Sequence, residues 1–227
     1  MTQAGEYTAK DIQVLEGLEA VRVRPGMYIG STDQRGLHHL IYEILDNAVD
    51  EAMAGYCERV EISISENGWI SVVDNGRGIP IDKHVKTGKS ALETVMTTLH
   101  AGGKFGGGAY KVTGGLHGVG GSVVNALSEE LRAEVRRQGW LYSQEYERGK
   151  PTTQLVKGEK TTEQGTTVSF KPDSQIFPVI EYDFELLIAH FKEIAYLNKG
   201  LEIAFTSQWH YDRRRGDIER TYFFDGG

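Results

Sequence analysis

The chain has 227 residues, of which 25% are charged, and its formal net charge is −7. This length fits one large or two small domains, and the negative charge argues against direct binding of nucleic acid, because nucleic-acid-binding domains are usually basic. The single cysteine, Cys57, excludes an internal disulfide and favours a reducing cytoplasmic setting. The polar first ten residues and the lack of a long apolar run argue against a signal peptide and a membrane span.

The first predicted elements are an arm and two helices. Residues 1–16 are polar, which is typical of an extended arm or of a disordered terminus. A short helix over 17–24 should stop at Pro25, and 24–30 should form a turn-rich loop. Apolar residues at three- and four-residue spacing then predict a long amphipathic helix over 37–54.

The following elements alternate irregularly between strands and helices. Alternating side chains predict two strands, 60–65 and 69–73, joined by a hairpin at Asn67-Gly68. The later predicted elements are helices over 90–100, 119–127 and 183–198, and strands over 131–137, 140–146, 153–156, 166–170, 201–205 and 219–224. Because many of these strands should be antiparallel, the pattern predicts an α+β fold: a two-layer sandwich of a mixed, largely antiparallel sheet with helices on one face.

One nucleotide-binding motif is present only in part. Thr87-Gly88-Lys89-Ser90 contains the Gly-Lys-Ser end of a P-loop, but the earlier glycine that a P-loop requires is replaced by Lys83. Lys89 and Ser90 are therefore interpreted as the start of a helix. The sequence also lacks a G-x-G-x-x-G fingerprint, an H-E-x-x-H motif and paired C-x-x-C motifs, so neither a dinucleotide fold nor a zinc site has support.

The predicted helix over 37–54 carries a polar stripe. Glu43, Asn47, Asp50 and Glu51 recur at helical spacing and share one side of the helix. Such a stripe is commonly no more than a solvated face, but Asn47 and Asp50 lie among apolar residues. An amide oxygen can ligate Mg²⁺ beside phosphate oxygens, and Glu43, one turn away, can take a proton from an attacking water.

Two glycine-containing segments complete the candidate site. Asp74 follows a hydrophobic strand, where its carboxylate can accept a hydrogen bond from the exocyclic amine of adenine, although an ordinary Asp-Asn-Gly turn has the same sequence. Gly76 and Gly78 allow the backbone to approach a flat ring closely. Ten of the twenty residues over 102–121 are glycine, and they run into a predicted helix whose N–H groups can bind phosphate. This segment is either a glycine-hinged lid or a floppy surface loop.

In combination these motifs resemble the GHKL ATPase superfamily, which includes type II topoisomerase ATPase domains, Hsp90, MutL and sensor histidine kinases. The order is E-x-x-x-N-x-x-D-E, then D-x-G-x-G, then G-G-x-x-G-x-G. Longer segments look like the ATPase domains of bacterial gyrase B and topoisomerase IV B subunits, and these segments are 24–30, 46–52, 99–105 and 110–120. The resemblance covers about 7–227 and implies that the protein binds and hydrolyses Mg-ATP in DNA supercoiling by a gyrase or, alternatively, in decatenation by topoisomerase IV. The Tyr-Lys-Val-Thr segment before Gly114 favours gyrase.

The resemblance also implies residue roles. Glu43 would be the general base, Asn47 the Mg²⁺ ligand, and Asp74 the adenine-binding carboxylate that shares a water with Thr166. Arg137 would lie at the rim where aminocoumarin-type inhibitors bind. The other residues matched to the nucleotide site are Tyr28, Glu51, Arg77, Gly78, Ile79, Pro80, Gly102, Gly103, Lys104, Tyr110, Gly115, Leu116, His117, Gly118, Val119 and Gly120.

The implied partners follow from the same resemblance. Residues 1–16, with Tyr7 and Ile12, would be a dimerisation arm that reaches Tyr28 of a second B subunit, and residues 17–227 would be the ATPase domain. The gyrase A subunit and DNA would be contacted through other domains. Because the family places a lysine that touches the γ-phosphate in a following transducer domain, we expect this chain alone to bind ATP but to hydrolyse it weakly.

Two rival functions share part of the pattern. A histidine kinase would transfer phosphate to a histidine on a companion helical domain, and nothing in this sequence resembles that domain. A non-hydrolysing, ATP-gated dimerisation module would keep Asn47 and Asp74 but would not need Glu43. The role of Glu43 therefore separates the hydrolytic function from this last alternative.

Overall fold

One mixed sheet organises the residues that this computed structural model describes, which are 17–101 and 120–226. Within these ranges the helices are α1 (Leu18–Val23), α2 (Gly26–Ile29), α3 (Gln34–Met53), α4 (Ala91–Thr97), α5 (Gly120–Ala126) and α6 (Phe184–Leu197). The strands are β1 (Arg59–Ile64), β2 (Ile70–Asp74), β3 (Ser128–Arg137), β4 (Trp140–Glu147), β5 (Lys150–Pro151), β6 (Val156–Lys160), β7 (Gly165–Pro172), β8 (Glu202–Ser207) and β9 (Glu219–Tyr222). Every helix in these ranges is too short or too polar to cross a membrane.

The sheet is largely antiparallel, as predicted. Its order is β5-β4-β3-β7-β2-β1-β8-β9, with β6 alongside β4. Among the described strands only β1 and β8 pair in parallel. In β1, Val60, Ile62 and Ile64 are buried while the residues between them are exposed, so a single face of the strand packs on the core. Helices α3, α5 and α6 contact the sheet, which confirms the α+β sandwich.

Helix α3 is the central helix of the site because it runs across the buried face. The Asp33 side chain accepts a hydrogen bond from the backbone N–H of Arg35 and caps the helix, which therefore begins at Gln34 rather than at the first apolar residue, Leu37. Gly55, with φ of 82°, turns the chain beyond its end. The predicted periodicity is confirmed, since the apolar side of the helix is buried.

Two local predictions are wrong. The segment 24–30 is not simply a loop, because Pro25 is the N-cap of the single-turn helix α2 (Gly26–Ile29), and the fixed φ of proline suits a helix start. The segment 153–156 is not a strand, since β6 begins only at Val156. Instead, Thr153 uses its side chain to accept from the backbone N–H of Glu145 (3.0 Å) and its carbonyl to accept from Gln144 (3.1 Å). These hydrogen bonds, each of which involves a side chain, take the place of the backbone–backbone hydrogen bonds that a strand would make.

Three strand ends meet at one edge of the sheet and define where a site can form. In the register of the pairs, Val73 of β2 faces Thr167 of β7, and Val135 of β3 faces Thr166. The end of β2, the start of β7 and the end of β3 are therefore neighbours, although they are far apart in sequence. Asp74 is the last residue of β2 and lies at this junction.

Candidate functional site

Asp74 is held at the strand junction by two backbone amides. Its Oδ1 accepts from the N–H of Gly76 at 2.8 Å and from the N–H of Thr166 at 3.1 Å. Burial raises the pKa of the Asp74 carboxyl, and these two hydrogen bonds oppose that rise. No hydrogen bond from the described residues goes to Oδ2. The carboxylate therefore has one oxygen fixed by the fold and one that can accept from a ligand.

Two glycines allow the close packing around this strand junction. Gly165 has φ of 130°, and a Cβ there would lie 1.9 Å from the carbonyl oxygen of Asp74. Gly78 has φ of 75°, and a Cβ there would lie 3.0 Å from a methyl group of Val135. Thr166 also accepts from the N–H of Ile79 at 3.2 Å, which joins β7 to the turn after Asp74. The sequence prediction included Gly78 and Thr166 but missed Gly165, whose only signal is its position directly before a strand.

The turn after Asp74 is fixed from both sides by charged side chains. Arg77 is bound to Glu51 of α3, with 3.0 Å between a guanidinium nitrogen and the carboxylate. Arg137 donates to the carbonyl oxygens of Arg77 (3.1 Å) and Gly78 (2.8 Å). The backbone over 77–78 is thus clamped between α3 and the end of β3. Pro80, which was also predicted to belong to the nucleotide site, is exposed.

Glu43 has a partner that sequence reasoning missed. His39, one turn earlier on α3, places its Nε2 2.9 Å from Oε1 of Glu43. The hydrogen bond to Glu43 raises the pKa of His39 above its ordinary value. The i, i+4 spacing of His39 and Glu43 was the available signal. Gly120 of α5 also approaches closely, because a Cβ there would lie 2.5 Å from Oε2 of Glu43.

The polar stripe of α3 connects these two ends of the site. Glu43 lies next to Gly120, and Glu51 lies next to Gly76, where an added Cβ would be 3.2 Å from Cγ of Glu51. A helix rises about 1.5 Å per residue, so Glu43 and Glu51 are separated by roughly 12 Å along α3. Asn47, between them, is exposed, whereas Asp50 is buried. The described residues therefore form a line from Gly120 past Asn47 to Asp74.

The donor atoms on this line suit Mg²⁺ only together with a ligand. Within 17–101 and 120–226, no cluster of three or more His, Cys, Asp or Glu side chains is arranged to hold a metal by itself. Asn47 offers an amide oxygen, and Mg²⁺ commonly takes one or two protein oxygens, substrate phosphates and waters. The residues fit a cation that enters with a phosphate-bearing ligand.

Some predicted site residues lie outside the described ranges. They are Gly102, Gly103, Lys104, Tyr110, Gly115, Leu116, His117, Gly118 and Val119, together with Tyr7 and Ile12 of the predicted arm. Tyr28 is described, lies on α2, and is half-buried against the core. Its predicted contact with a second subunit stays a prediction.

The comparison with known families agrees with this arrangement. Residues 32–176 match the family of histidine kinase-, DNA gyrase B- and HSP90-like ATPases. The chain belongs to this ATPase family. The matched range contains the residues of both ends of the site, from His39 and Glu43 to Asp74 and Thr166.

Individual relatives within this ATPase family are similar over almost the whole chain. The DNA gyrase B subunit of Synechocystis sp. is 58% identical, over 97% of this chain and 20% of that protein. The DNA gyrase B subunits of Thermotoga maritima and Archaeoglobus fulgidus are 55% and 56% identical, each over 98% of this chain and over 34% and 35% of their own lengths. The chain therefore spans only a fifth to about a third of the length of these relatives.

Proposed function

We propose that this chain binds Mg-ATP and hydrolyses it to close a dimer gate in a type IIA DNA topoisomerase, with DNA supercoiling by gyrase as the whole reaction. The observation that carries the proposal is the carboxylate of Asp74, whose Oδ1 accepts from two backbone amides while Oδ2 can accept from a ligand. The His39–Glu43 pair lies at the other end of the same line of residues. Membership of the ATPase family supports the nucleotide, and the names of the relatives favour gyrase over topoisomerase IV.

Adenine is bound at the end of the site that contains Asp74. Oδ2 of Asp74 accepts from the exocyclic amine, and a water held with Thr166 completes the contact with the ring. The glycines at 78 and 165 let the backbone pack closely beside this place, because a Cβ at either position would clash with neighbouring protein atoms. Arg77, Ile79 and Pro80 form the edge of the same pocket.

Hydrolysis belongs to the Glu43 end. Glu43 takes a proton from the attacking water, while His39 holds the carboxylate in one orientation through its 2.9 Å contact. Asn47 ligates Mg²⁺, which when bound neutralises charge on the phosphate oxygens. The phosphates lie toward Gly120 and the preceding glycine-rich segment, which acts as lid and phosphate loop.

The larger assembly is part of the proposal. Residues 1–16 act as the dimerisation arm to a second B subunit, residues 17–227 are the ATPase domain, and the A subunit and DNA are contacted by further domains of the longer protein. Aminocoumarin-type inhibitors bind over the rim at Arg137. The reaction takes place in the cytoplasm, in keeping with a single cysteine in the sequence.

A substitution that keeps the shape of Glu43 tests the hydrolytic role. Glu43→Gln retains an oxygen that can pair with His39 but cannot take a proton. We expect ATP binding to change little, while turnover falls about 10²–10⁴-fold, the usual contribution of a general base. Binding is measured by calorimetry on this chain, and turnover is measured with labelled ATP in the full-length subunit, because this chain alone should hydrolyse ATP only weakly. Glu66→Ala, at an exposed position of the β1–β2 hairpin, is the control.

The outcome separates hydrolysis from nucleotide-gated dimerisation. Unchanged turnover in Glu43→Gln would remove Glu43 as the base. A wild-type chain that binds ATP without any turnover in the full-length subunit would support the non-hydrolysing module instead.

A further inference from the structure

We propose that Tyr56 is a positioning residue that holds the guanidinium of Arg77 at the rim of the adenine pocket. The Arg77 guanidinium carbon lies 3.7 Å from the centroid of the Tyr56 ring, within the range of a cation–π contact. This inference rests on the proposed nucleotide-binding function and adds to it a residue outside the predicted site.

Tyr56, Arg77 and Glu51 each contact the other two. Glu51 binds the Arg77 guanidinium with its carboxylate, at 3.0 Å, and accepts the backbone N–H of Tyr56 with its carbonyl, also at 3.0 Å. The turn at Gly55, with φ of 82°, returns the chain so that the Tyr56 ring covers the guanidinium. The last turn of α3 thus supplies both the carboxylate and, through that backbone bond, the position of the aromatic ring.

The two contacts fix different degrees of freedom. The carboxylate of Glu51 pairs with the edge of the planar guanidinium, whereas the Tyr56 ring covers its face. The Arg77 side chain is 34% exposed, so loss of the ring over its face should loosen the orientation of the guanidinium that Glu51 holds by its edge. The Tyr56 side chain belongs to a residue that is 52% exposed, so a role in core packing does not explain it. Its placement over a charged side chain does.

The position of Arg77 decides which ligand group is affected. Arg77 directly follows Gly76, whose N–H donates to Asp74, so Arg77 lies at the end of the site that is proposed to bind adenine. The phosphate end, near Glu43 and Gly120, lies about 12 Å away along α3. Removal of the Tyr56 ring should therefore weaken ATP and ADP binding by the same factor. An exposed cation–π contact predicts a loss of roughly threefold to fivefold in affinity.

Calorimetric titration of the chain with ADP and with ATP tests the inference. We expect Tyr56→Leu to bind both nucleotides threefold to fivefold more weakly, and Tyr56→Phe, which keeps the ring, to bind them like the wild type. Tyr211→Leu is the matched control, because Tyr211 is 53% exposed and lies in the turn between β8 and β9. In an Arg77→Met background, Tyr56→Leu should cause no further loss.

Other outcomes would overturn either the proposed function or the inference about Tyr56 alone. If the wild-type chain binds neither nucleotide, the proposed function fails. If the wild type binds and Tyr56→Leu binds equally well, or if Tyr56→Phe does not restore affinity, the inference about Tyr56 fails alone. The same holds if the loss persists in the Arg77→Met background. If Tyr56→Leu does not fold, Tyr56→Met takes its place with the same expectations.

Discussion

Among single residues, Asp74 combines burial with charge. Burial raises its pKa above the ordinary value of 3.8, so the folded state favours the protonated carboxyl more than the unfolded chain does. A raised folded-state pKa stabilises the fold at pH values below 3.8, and that contribution is lost as the pH rises through the folded pKa. At neutral pH the ionised carboxylate therefore lowers folding stability. A group that the fold holds at such a cost is typical of a binding site.

Asp74→Asn should separate stability from binding. The amide oxygen of asparagine can accept both backbone hydrogen bonds, so we expect the free energy of unfolding at neutral pH to stay equal or to rise. The amide NH₂ would face the exocyclic amine of adenine, donor against donor. The loss of a hydrogen bond to a charged group predicts ADP binding about 10- to 100-fold weaker.

Urea unfolding and calorimetry on the same protein sample measure both quantities. Asp82→Asn, at an exposed position, is the control and should leave both unchanged. ADP affinity in Asp74→Asn equal to that of the wild type would contradict the assignment of Asp74 to adenine.

Local sequence patterns predict residues whose chemistry is visible within one motif, whereas Thr166 and Arg137 are predicted only from the family resemblance. Asp74 and Gly76 belong to one short motif, and Glu43 and Asn47 share one helical face. Gly165 is required because β7 brings it against the backbone of Asp74, a contact across about ninety residues that no local pattern reveals. His39 was missed although it lies on the same helix as Glu43, because an i, i+4 pair on a polar stripe does not by itself indicate a site.

On the scale of elements, a buried histidine joins α3 to α6. His38 Nε2 accepts the backbone N–H of Asp183 at 3.0 Å, and the Asp183 side chain caps α6 by accepting from Leu186. This arrangement requires neutral imidazole. Burial lowers the pKa of His38 to about 4, although Asp183 acts to raise it.

The pH dependence of stability follows from the depressed pKa. The histidine has an ordinary pKa of 6.5 when unfolded, so its stabilising contribution is complete above pH 6.5 and is lost as the pH falls toward about 4. One proton taken up on unfolding changes the free energy of unfolding by at most about 1.4 kcal/mol per pH unit. Between pH 6.5 and 5 we expect His38 to account for a loss of roughly 2 kcal/mol.

His38→Gln should flatten this dependence. The glutamine oxygen can accept from Asp183 but does not titrate, so the variant should lose less stability between pH 6.5 and 5 than the wild type. Urea unfolding at the two pH values gives the difference, and His84→Gln, in an exposed loop, is the control. Equal losses in wild type and His38→Gln would show that another group controls acid stability.

The sequence predicts an element best when a capping residue marks where it begins. Helix α6 combines apolar periodicity with the cap Asp183, so both its type and its position were predicted, whereas for α3 the periodicity gave the type but the cap Asp33 and the true start were missed. Strand β6 is exposed along its whole length and pairs with β4 alone, and its residues therefore show no alternation by which the sequence could place it.

For the whole molecule, the topology assembles the candidate site from distant parts of the chain. The order β3-β7-β2 places Arg137, Thr166 and Asp74 together, and α3 lies against β2. Fold class was predictable from the sequence because it depends on element types. The strand order was not, since pairing of β7 between β2 and β3 depends on contacts far apart in sequence.

A concave region at the start of α6, beside the turn between β8 and β9, offers a rival place for a nucleotide. A cavity of about 510 Å³ there is lined in part by Gln34, Arg213 and Arg214. However, Arg213 is paired with Glu181 at 2.9 Å, and Arg214 with Glu185 at 2.7 Å. A triphosphate would have to break these pairs and lie beside the acidic partners, which disfavours this cavity.

A structure of the chain with Mg²⁺ and a non-hydrolysable ATP analogue would show directly whether the nucleotide lies between Asp74 and Glu43. We predict that the adenine amine donates to Oδ2 of Asp74 and that the triphosphate runs along α3 between Asn47 and Gly120, with its terminal phosphate nearest Glu43. A triphosphate located away from Asn47 and Gly120, or bound in the cavity at the start of α6, would contradict these assignments.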